Sequence, residues 1–424
     1  MLGWDISNGY GENRINYRLE NSINASLGPD SPTAFYLGGL RQRELNSTID
    51  ITYRLDTGRP EPMNIAVGAE RRTETYEIVA GAPASYRVGA GAADGLPAGA
   101  DGFPGYSDSQ AGEFRQTSHA VYADVEVPVT ARWKIGIAAR YEDYSNFGST
   151  LDGKFSSRLE LTHGLALRAT FSSSFRAPTP GQLFSERTSK SLDLEDLTTV
   201  TSGRFSPDGP VASVISLRDD VAIVPLTSEK AQNINMGLTY SNNAGLSLSL
   251  DIYRVRVKDR FGVSDSYDLT REEQRTLAAL GVPGASGIAN VTFFQNDFDT
   301  VTRGLDLAMA YTMPFARGVL ALTAAYNIND TRVTGGSLLS DAVDRQVFED
   351  GTPGHNAVAS IGYQAGSLEI LLRGRFVGKW TDQNQDSGDS DIQTFGAETF
   401  LDVSLAYRIS GHMTLRLGAE NILN

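Results

Sequence analysis

The chain has 424 residues, of which 40% are hydrophobic, a formal net charge of −14 and no cysteine. The acidic balance argues against a nucleic-acid-binding surface, and the lack of cysteine excludes a disulfide framework and a thiolate metal site. The length suits two or three domains or one large β-barrel. The four histidines lie far apart without the spacing of metal ligands, so each is expected at a surface or turn position.

The first 70 residues alternate between apolar and polar side chains, a pattern that predicts β-strands. The apolar rows of three such strands are Ile15, Tyr17, Leu19 and Ile23, then Leu45, Ile49, Ile51, Tyr53 and Leu55, and then Met63, Ile65, Val67 and Ala69. A turn at Asp56–Pro60 separates the second strand from the third. Past Glu70 the parity breaks, which predicts either a bulge or a departure from the apolar layer.

Two long loops flank the next group of strands. The first, residues 81–115, is rich in Gly, Ala, Pro and Asp, and a loop of this length suggests function or disorder. Alternation then predicts strands at residues 121–127, 133–141, 155–161 and 165–171. The second loop, residues 177–228, is polar and acidic.

Two further strands, at residues 234–240 and 246–252, precede the one segment for which the sequence predicts a helix. Its signals are a capping box formed by Thr270 with Glu273, an apolar face with Leu277 and Leu280, and an end marked by Gly281 and Pro283. This short helix lies in a third loop.

The segment Leu305–Ile328 decides between a membrane helix and a hairpin. Its apolar content is high enough for a membrane helix. However, apolar residues occupy every second position on both sides of Pro314–Gly318, and this period of two predicts two strands joined by a tight turn. Strands at 357–363, 368–376, 401–407 and 413–419 follow, with a fourth polar loop before residue 401. In total about fifteen strands are predicted, with short turns at one end and long loops at the other, as in an antiparallel up-and-down arrangement.

Three features indicate that the apolar rows face lipid. The opposite face carries charged residues in strand after strand: Arg14, Arg18, Glu20, Asp50, Arg54, Asp124, Glu126, Arg158, Glu160, Arg168, Asp306, Glu369, Arg373, Arg375, Asp402 and Arg416. Aromatic residues lie at both ends of the apolar rows. From Trp133 to Tyr141 a strand rises about 26 Å, or about 20 Å along the membrane normal when tilted by about 40°, close to the apolar band of an outer-membrane barrel. No segment remains that resembles a membrane helix, and only a closed barrel satisfies the backbone of such strands in lipid. The fold class predicted is therefore all-β, a transmembrane antiparallel β-barrel.

Three motifs carry a resemblance to a known family. Phe175, Arg176, Ala177 and Pro178 stand where a strand ends and a long loop begins. A strand runs from Phe293-Phe294-Gln295-Asn296 to Arg303-Gly304-Leu305-Asp306, and the chain finishes with Glu420, Asn421 and Ile422-Leu423-Asn424. In this order they resemble the β-barrel of TonB-dependent outer-membrane receptors over most of the chain.

The resemblance also implies parts that this sequence does not show. The family has a barrel of about 22 strands, an N-terminal plug domain and a short box that contacts the energy-transducing partner. Residues 1–424 show about fifteen strands without plug, box or final aromatic-ended strand, and Met1–Asp5 has no features of a secretion signal. We therefore expect one barrel domain over 1–424, a fragment with unpaired strand edges that does not transport on its own.

Candidate ligand-binding residues are the aromatic and arginine side chains of the long loops, since these types dominate binding hot spots. They are Tyr86, Phe103, Tyr106, Arg176, Phe184, Arg187 and Arg204. Arg176 has an alternative role in ordering the loop entrance at the barrel rim. Asp382, Asp386, Asp389 and Asp391 form a weak calcium candidate, because their spacing matches no calcium loop and flexible solvated carboxylates are favoured. No catalytic constellation and no cofactor site is predicted.

The resemblance implies an outer-membrane receptor of a Gram-negative cell. Such a receptor takes up a scarce, bulky nutrient, such as a ferric siderophore, cobalamin or an oligosaccharide. Uptake would be energised by the TonB system through the plug, and the expected partners are outer-membrane lipid and the nutrient, with a monomeric protein. Two alternatives stay open. A passive porin-type channel would be excluded by an upstream plug of roughly 100 to 150 residues. A secreted all-β carbohydrate-binding or hydrolytic protein would be soluble without detergent.

Overall fold

The fold is described by a computed structural model that covers residues 1–192, 199–282, 284–383 and 392–423. In the first half its elements are β1 (Leu2–Glu20), β2 (Ala34–Leu55), β3 (Met63–Val79), β4 (Gly112–Thr130), β5 (Trp133–Tyr144), β6 (Gly148–Thr162), β7 (Leu165–Arg176), α1 (Pro180–Phe184), β8 (Arg187–Leu192), β9 (Thr199–Phe205) and α2 (Pro210–Ile215). In the second half they are β10 (Glu229–Ser241), β11 (Leu246–Val263), β12 (Tyr267–Asp268), α3 (Arg271–Ala279), β13 (Ile288–Phe315), β14 (Gly318–Gly335), α4 (Ala342–Asp350), β15 (His355–Ala365), β16 (Leu368–Val377), β17 (Trp380–Gln383), β18 (Ile392–Phe395), β19 (Glu398–Ser410) and β20 (Met413–Ala419).

Fifteen strands form one antiparallel sheet, here called the wall, in which each strand pairs with the next wall strand along the chain. They are β1 to β7, β10, β11, β13 to β16, β19 and β20. The remaining short strands and the four α-helices of the described residues belong to the long connections at one end. Within the described residues, β1 pairs only with β2 and β20 only with β19, so the wall is open at both edges. The predicted up-and-down order of about fifteen strands is confirmed.

One side of the wall, the outer face, carries the predicted apolar rows, and these side chains are exposed. Ile137 is 62% exposed and Phe171 is 51% exposed. Trp133 and Tyr407 lie towards the short turns and Tyr141 towards the long loops, so aromatic residues border the apolar band at both ends. A soluble sandwich would bury these rows against a second sheet. Their exposure agrees with the predicted lipid-facing role.

The other side, the inner face, carries ion pairs both within one strand and between strands. Arg140 lies 2.9 Å from Glu70 and 2.8 Å from Glu142. Farther along the wall, Arg375 pairs with Asp402 at 3.1 Å. Charged side chains that pair across strands tolerate a confined aqueous interior, whereas on a lipid-facing surface each would be costly.

The upper part of β1 differs from the prediction. Tyr17 and Leu19 pack inward against the buried residues Phe35 and Leu37, which belong to β2. Arg14, Arg18 and Glu20 therefore point outward, not towards the interior as expected, because the loop between β3 and β4 fills the inner side here and favours apolar contacts. In β3 the pairing with β2 is continuous from Met63 to Val79. The parity break past Glu70 is thus a departure from the apolar layer and not a bulge.

The long connections build a small core of their own beyond the wall. β9 pairs in parallel with the first residues of β13, and β8 pairs antiparallel with β9. The core consists of completely or almost completely buried apolar side chains, among them Phe205, Val211, Ile215, Leu277, Ile288, Val291 and Phe293. This packing fixes the position of β8 and β9 relative to the wall.

The predicted helix is confirmed as α3, and its capping box between Thr270 and Glu273 is formed. Pro283 lies outside the described residues. The other helices have only five, six and nine residues, lengths that give little periodic signal. Of the helices in the described part of the chain, none combines the length and the apolar character that a membrane crossing demands.

Candidate ligand-binding site

The inner face at the long-loop end is covered by aromatic side chains from the loop between β3 and β4. Tyr106 from this loop is 5% exposed and packs with Tyr76 of β3. Its ring lies 5.5 Å from the ring of Phe103 in an edge-on arrangement, and Phe103 lies 5.6 Å from Tyr17 of β1. These four rings form an aromatic floor close to the open end of the wall.

The motif Phe175–Pro178 positions the helix that borders this floor. Pro178 is fully buried, and its carbonyl accepts a hydrogen bond of 3.2 Å from the Gln116 side chain. Thr179 and Gln182 then form a capping box that starts α1. At the end of α1, the ring of Phe184 stacks on Phe114 at 5.0 Å. The motif therefore turns the chain from β7 across the inner side of the wall.

Two arginines stand over the floor. Arg187 and Arg204 are direct partners in the antiparallel pair of β8 and β9, so their Cβ atoms are about 5 Å apart. The guanidinium of Arg187 lies 5.1 Å from the centre of the Phe103 ring, and that of Arg204 lies 4.6 Å from the Phe294 ring. Within the described residues, neither arginine has a carboxylate oxygen within 4.0 Å, and the Arg204 Nε is buried without a hydrogen-bond partner.

The electrostatics of this group favour an incoming anion. Burial lowers the pKa of Arg204, and the positive charge of Arg187 lowers it further. Burial raises the pKa of the Tyr106 hydroxyl to about 12, so this phenol is a neutral donor at physiological pH. We call Tyr17, Tyr76, Phe103, Tyr106, Arg187 and Arg204 the mouth cluster. It offers two cations, several aromatic faces and phenol hydroxyls at one place.

Five of the seven predicted ligand-binding residues lie in or beside the mouth cluster: Phe103, Tyr106, Phe184, Arg187 and Arg204. Tyr86 lies apart from it, donates a hydrogen bond of 2.9 Å to Asp108 and lines a separate cavity of about 310 Å³. Arg176 lies 3.1 Å from the buried Glu229 and 4.9 Å from the centre of the Phe261 ring. These contacts correspond to the alternative role, ordering the rim.

Of the remaining predicted positions, the three that the structure describes, Asp382, Glu420 and Asn421, lie outside the mouth cluster. Asp386, Asp389 and Asp391 lie outside the described residues, and within those described no three His, Asp or Glu side chains are arranged to hold a metal ion. Asp382 lies in β17. In the final motif, Glu420 is exposed, and the Asn421 amide donates to Asp402 at 3.1 Å with Asn421 in the left-handed conformation, φ 53°.

Sequence reasoning missed Tyr17 and Tyr76. Tyr17 alternates in step with the apolar residues of its strand and was therefore expected to face lipid. Tyr76 lies beyond the position in β3 at which the alternation of apolar and polar residues breaks. A usable signal exists for Tyr76, because it has the same parity as Glu70, Arg72 and Glu74 and so belongs to the inner face. For Tyr17 the facing depends on which loop covers the strand, and no local pattern contains that information.

The chain matches one family model and resembles several solved structures. A family model described as TonB dependent receptor-like, beta-barrel matches residues 2–422. A mutant ferric enterobactin receptor from Pseudomonas aeruginosa superimposes with a TM-score of 0.64 at 15% identity, over 98% of this chain and 53% of that one. The siderophore receptor PirA from Acinetobacter baumannii gives 0.62 at 13% identity, over 99% of this chain and 56% of that one.

The FpvAI–pyocin S2 complex contains a similar chain, with a TM-score of 0.61 at 13% identity, over 99% of this chain and 51% of that one. The chain thus spans about half the length of the solved structures that it resembles. No curated protein matches it by sequence.

Proposed function

The chain belongs to the TonB-dependent receptor-like β-barrel family, and from this premise we propose that it is the wall of an outer-membrane receptor for a ferric siderophore. The mouth cluster is the observation that supports this ligand class. Ferric complexes of catecholates are bulky, aromatic and anionic. Two opposed arginines over a floor of aromatic rings match such a ligand in charge and shape, since guanidinium groups bind anionic oxygens bidentately and also stack on rings.

The alternatives within this family fit the cluster less well. Cobalamin and neutral oligosaccharides present no comparable negative charge to Arg187 and Arg204. The functions of a passive porin-type channel or a secreted carbohydrate-binding protein do not explain why two arginines stand opposite each other at this place. The receptors matched in structure are not enzymes by their descriptions, and we propose a binding and transport role rather than catalysis.

We further propose that uptake needs more than the wall described here. β1 and β20 present unpaired backbone edges, and an edge exposed to lipid costs several kcal/mol per unsatisfied group. Additional strands would close the wall, and a plug domain that responds to the TonB system would control passage. On this proposal, residues 1–424 alone do not transport.

Equilibrium binding to the complete receptor, purified in mild detergent, tests the ligand class. The probes are a ferric tris-catecholate, cobalamin and a neutral oligosaccharide. We expect the ferric complex to bind most tightly, and the variant R187Q/R204Q to weaken it by at least about tenfold, because a hydrogen bond to a charged group contributes roughly 1.5–3 kcal/mol.

The matched control is R158Q/R416Q, which removes two arginines from the inner face near the short turns, far from the mouth cluster. It should bind the ferric complex as the unchanged receptor does. Tight binding of cobalamin or the oligosaccharide that R187Q/R204Q leaves intact would overturn the proposed ligand class.

A further inference from the structure

A second cavity lies behind the hairpin that β8 and β9 form. It has a volume of about 310 Å³ and is here called the rear cavity. Three segments of the chain line it: the loop between β3 and β4, the β8–β9 hairpin through Thr188 and Thr201, and residues 284–288 at the start of β13. Its volume lies at the lower end of the range for small-molecule sites.

The rear cavity and the mouth cluster use opposite faces of this hairpin. Arg187 stands opposite Arg204, and the next pair along the strands, Thr188 and Gly203, points to the other side. Thr201 is three positions from Arg204 and therefore shares the side of Thr188. The two threonines that line the cavity thus lie on the hairpin face that is turned away from the two arginines.

The loop between β3 and β4 separates the two sites in the same way. Phe103 and Tyr106 of this loop belong to the mouth cluster, whereas Pro104 and Gly105 between them line the rear cavity. The two sites therefore share two walls without sharing a side chain, and each can hold a ligand of its own.

The polar groups of the rear cavity are uncharged. Among the described residues that line it, none is Asp, Glu, Lys, Arg or His. Its polar side chains are Ser107, Gln110, Thr188, Thr201 and Ser286. Hydroxyl and amide groups both donate and accept hydrogen bonds. The lining therefore suits a neutral ligand with several hydroxyl groups, and it holds no counter-charge for an ion.

Gln110 holds an unused donor at this cavity. The residue is only 7% exposed, and its Oε1 accepts hydrogen bonds from the Ser107 amide at 3.0 Å and from the Ser107 hydroxyl at 3.1 Å. These two bonds fix the orientation of the Gln110 amide group. Within the described residues, its Nε2 donates to no protein atom. A buried donor without an acceptor is unfavourable, and a ligand oxygen in the cavity would remove that cost.

Apolar groups complete the lining. Val88, Leu96 and Ile288 contribute aliphatic surface, and Tyr86 contributes a ring whose hydroxyl is already bonded to Asp108 at 2.9 Å. A cyclic polyol divides its surface in the corresponding way, because its hydroxyl groups surround the ring edge and its C–H groups cover the ring faces. A purely hydrocarbon ring would leave the Gln110 donor without an acceptor.

We propose that the rear cavity binds a neutral cyclic polyol of monosaccharide size as a second ligand of the receptor. Ring oxygens of the polyol accept from Gln110 and form hydrogen bonds with the hydroxyls of Thr188 and Thr201. The C–H faces pack against Val88 and Leu96. The site does not use Arg187 or Arg204, so it does not depend on the ligand class proposed for the mouth cluster.

Ligand-observed NMR titration of the complete receptor, purified in a detergent without a sugar headgroup, tests this site. The probes are methyl glucopyranoside and myo-inositol, with cyclohexanemethanol as a ring of similar size that has no ring hydroxyls. We expect both polyols to bind in the millimolar range and cyclohexanemethanol not to bind. T188V/T201V should weaken polyol binding about tenfold, because two hydrogen bonds between neutral groups are lost.

S189A/S202A is the matched control, because these two serines are direct partners on the arginine face of the same hairpin. It should bind the polyols as the unchanged receptor does. Equal binding of cyclohexanemethanol and the polyols, or equal effects of the two double variants, would overturn the proposal. If T188V/T201V fails to fold, Q110E removes the unused donor, keeps the acceptor for Ser107 and is read in the same way.

A saturating ferric tris-catecholate separates the two sites. Polyol binding should persist in its presence and in R187Q/R204Q, and competition would place the polyol in the mouth cluster and overturn the proposal. Failure of the ferric complex to bind would contradict the proposed function without affecting the polyol result. A ferric catecholate that carries a glucosyl group identifies the source of the polyol. If this complex binds more tightly than the plain one, and only with both threonines present, the nutrient supplies the sugar. Equal affinity assigns the site to a free polyol.

Discussion

Arg187 and Arg204 are cross-strand partners on β8 and β9, and their guanidinium groups lie over different rings, Arg187 over Phe103 of the aromatic floor and Arg204 over Phe294. Opposed like charges destabilise the pair of strands that carries them, and a bound anion reverses this effect. The arrangement resembles other functional sites in which binding capacity is maintained against local stability.

The first prediction is that Arg187→Gln has opposite effects on stability and on binding. Arg187 is exposed, and its removal takes away the repulsion on Arg204. The ligand-free mouth should gain a few tenths of a kcal/mol in stability, while the ferric complex binds about tenfold more weakly. Hydrogen exchange of β8 and β9 measures the first effect, and a titration measures the second. Faster exchange in the variant would contradict this account.

The wall was predictable because its signal is local. Alternation over seven to nine residues groups Ile137 or Leu250 with the other residues of one face, and the presence of all fifteen wall strands follows from it, although the facing of the upper part of β1 does not. Arg187 and Arg204 were recognisable as candidates from residue type and loop position. That these two arginines lie opposite each other could not be predicted, because it depends on how β8 pairs with β9. Nothing in the sequence pattern of either strand fixes the register of that pairing.

The inner face also contains glycines that make room for tyrosine rings, and this leads to a second prediction. A Cβ added to Gly68 would lie 2.3 Å from the Tyr122 ring, whose hydroxyl donates a hydrogen bond of 2.5 Å to Asp50. Gly68→Ala should therefore displace Tyr122 and cost about 1–3 kcal/mol. Gly374→Ala is the control, because no atom lies within 4 Å of its added Cβ. Unfolding midpoints in urea compare the two, and equal midpoints would refute the explanation.

The third prediction concerns the core formed by the long connections. Arg218 donates hydrogen bonds of 2.7 and 2.8 Å to Glu273 and, together with the Thr270 cap, lowers the pKa of the Glu273 carboxyl to about 2. Because this folded pKa lies below the ordinary value of 4.5, the stabilisation is complete above pH 4.5 and decreases as the pH falls towards 2. Hydrogen exchange of α3 should accelerate over that interval.

Glu273→Gln should remove this acid sensitivity and speed up hydrogen exchange of α3 at neutral pH. The variant has no carboxylate at this position with which the Arg218 guanidinium could form an ion pair. Glu272→Gln is the matched control, because Glu272 is exposed in the first turn of the same helix. An acid transition of α3 that persists unchanged in Glu273→Gln would show that another carboxylate is responsible.

The fourth prediction tests which face of the wall meets lipid. Ile137 lies midway between Trp133 and Tyr141 on the outer face, and Ala138 next to it points to the inner face, where its cross-strand partners are Asp124 and Lys154. An arginine at the bilayer midplane costs roughly 2–4 kcal/mol, whereas a lumen-facing position is far more tolerant. Ile137→Arg in the complete receptor should therefore reduce folded protein in the outer membrane, measured by heat-modifiable mobility in gels, and Ala138→Arg should not. The reverse result would mean that the apolar rows face an interior, and the assignment of the mouth cluster to the inner side of the wall would fail.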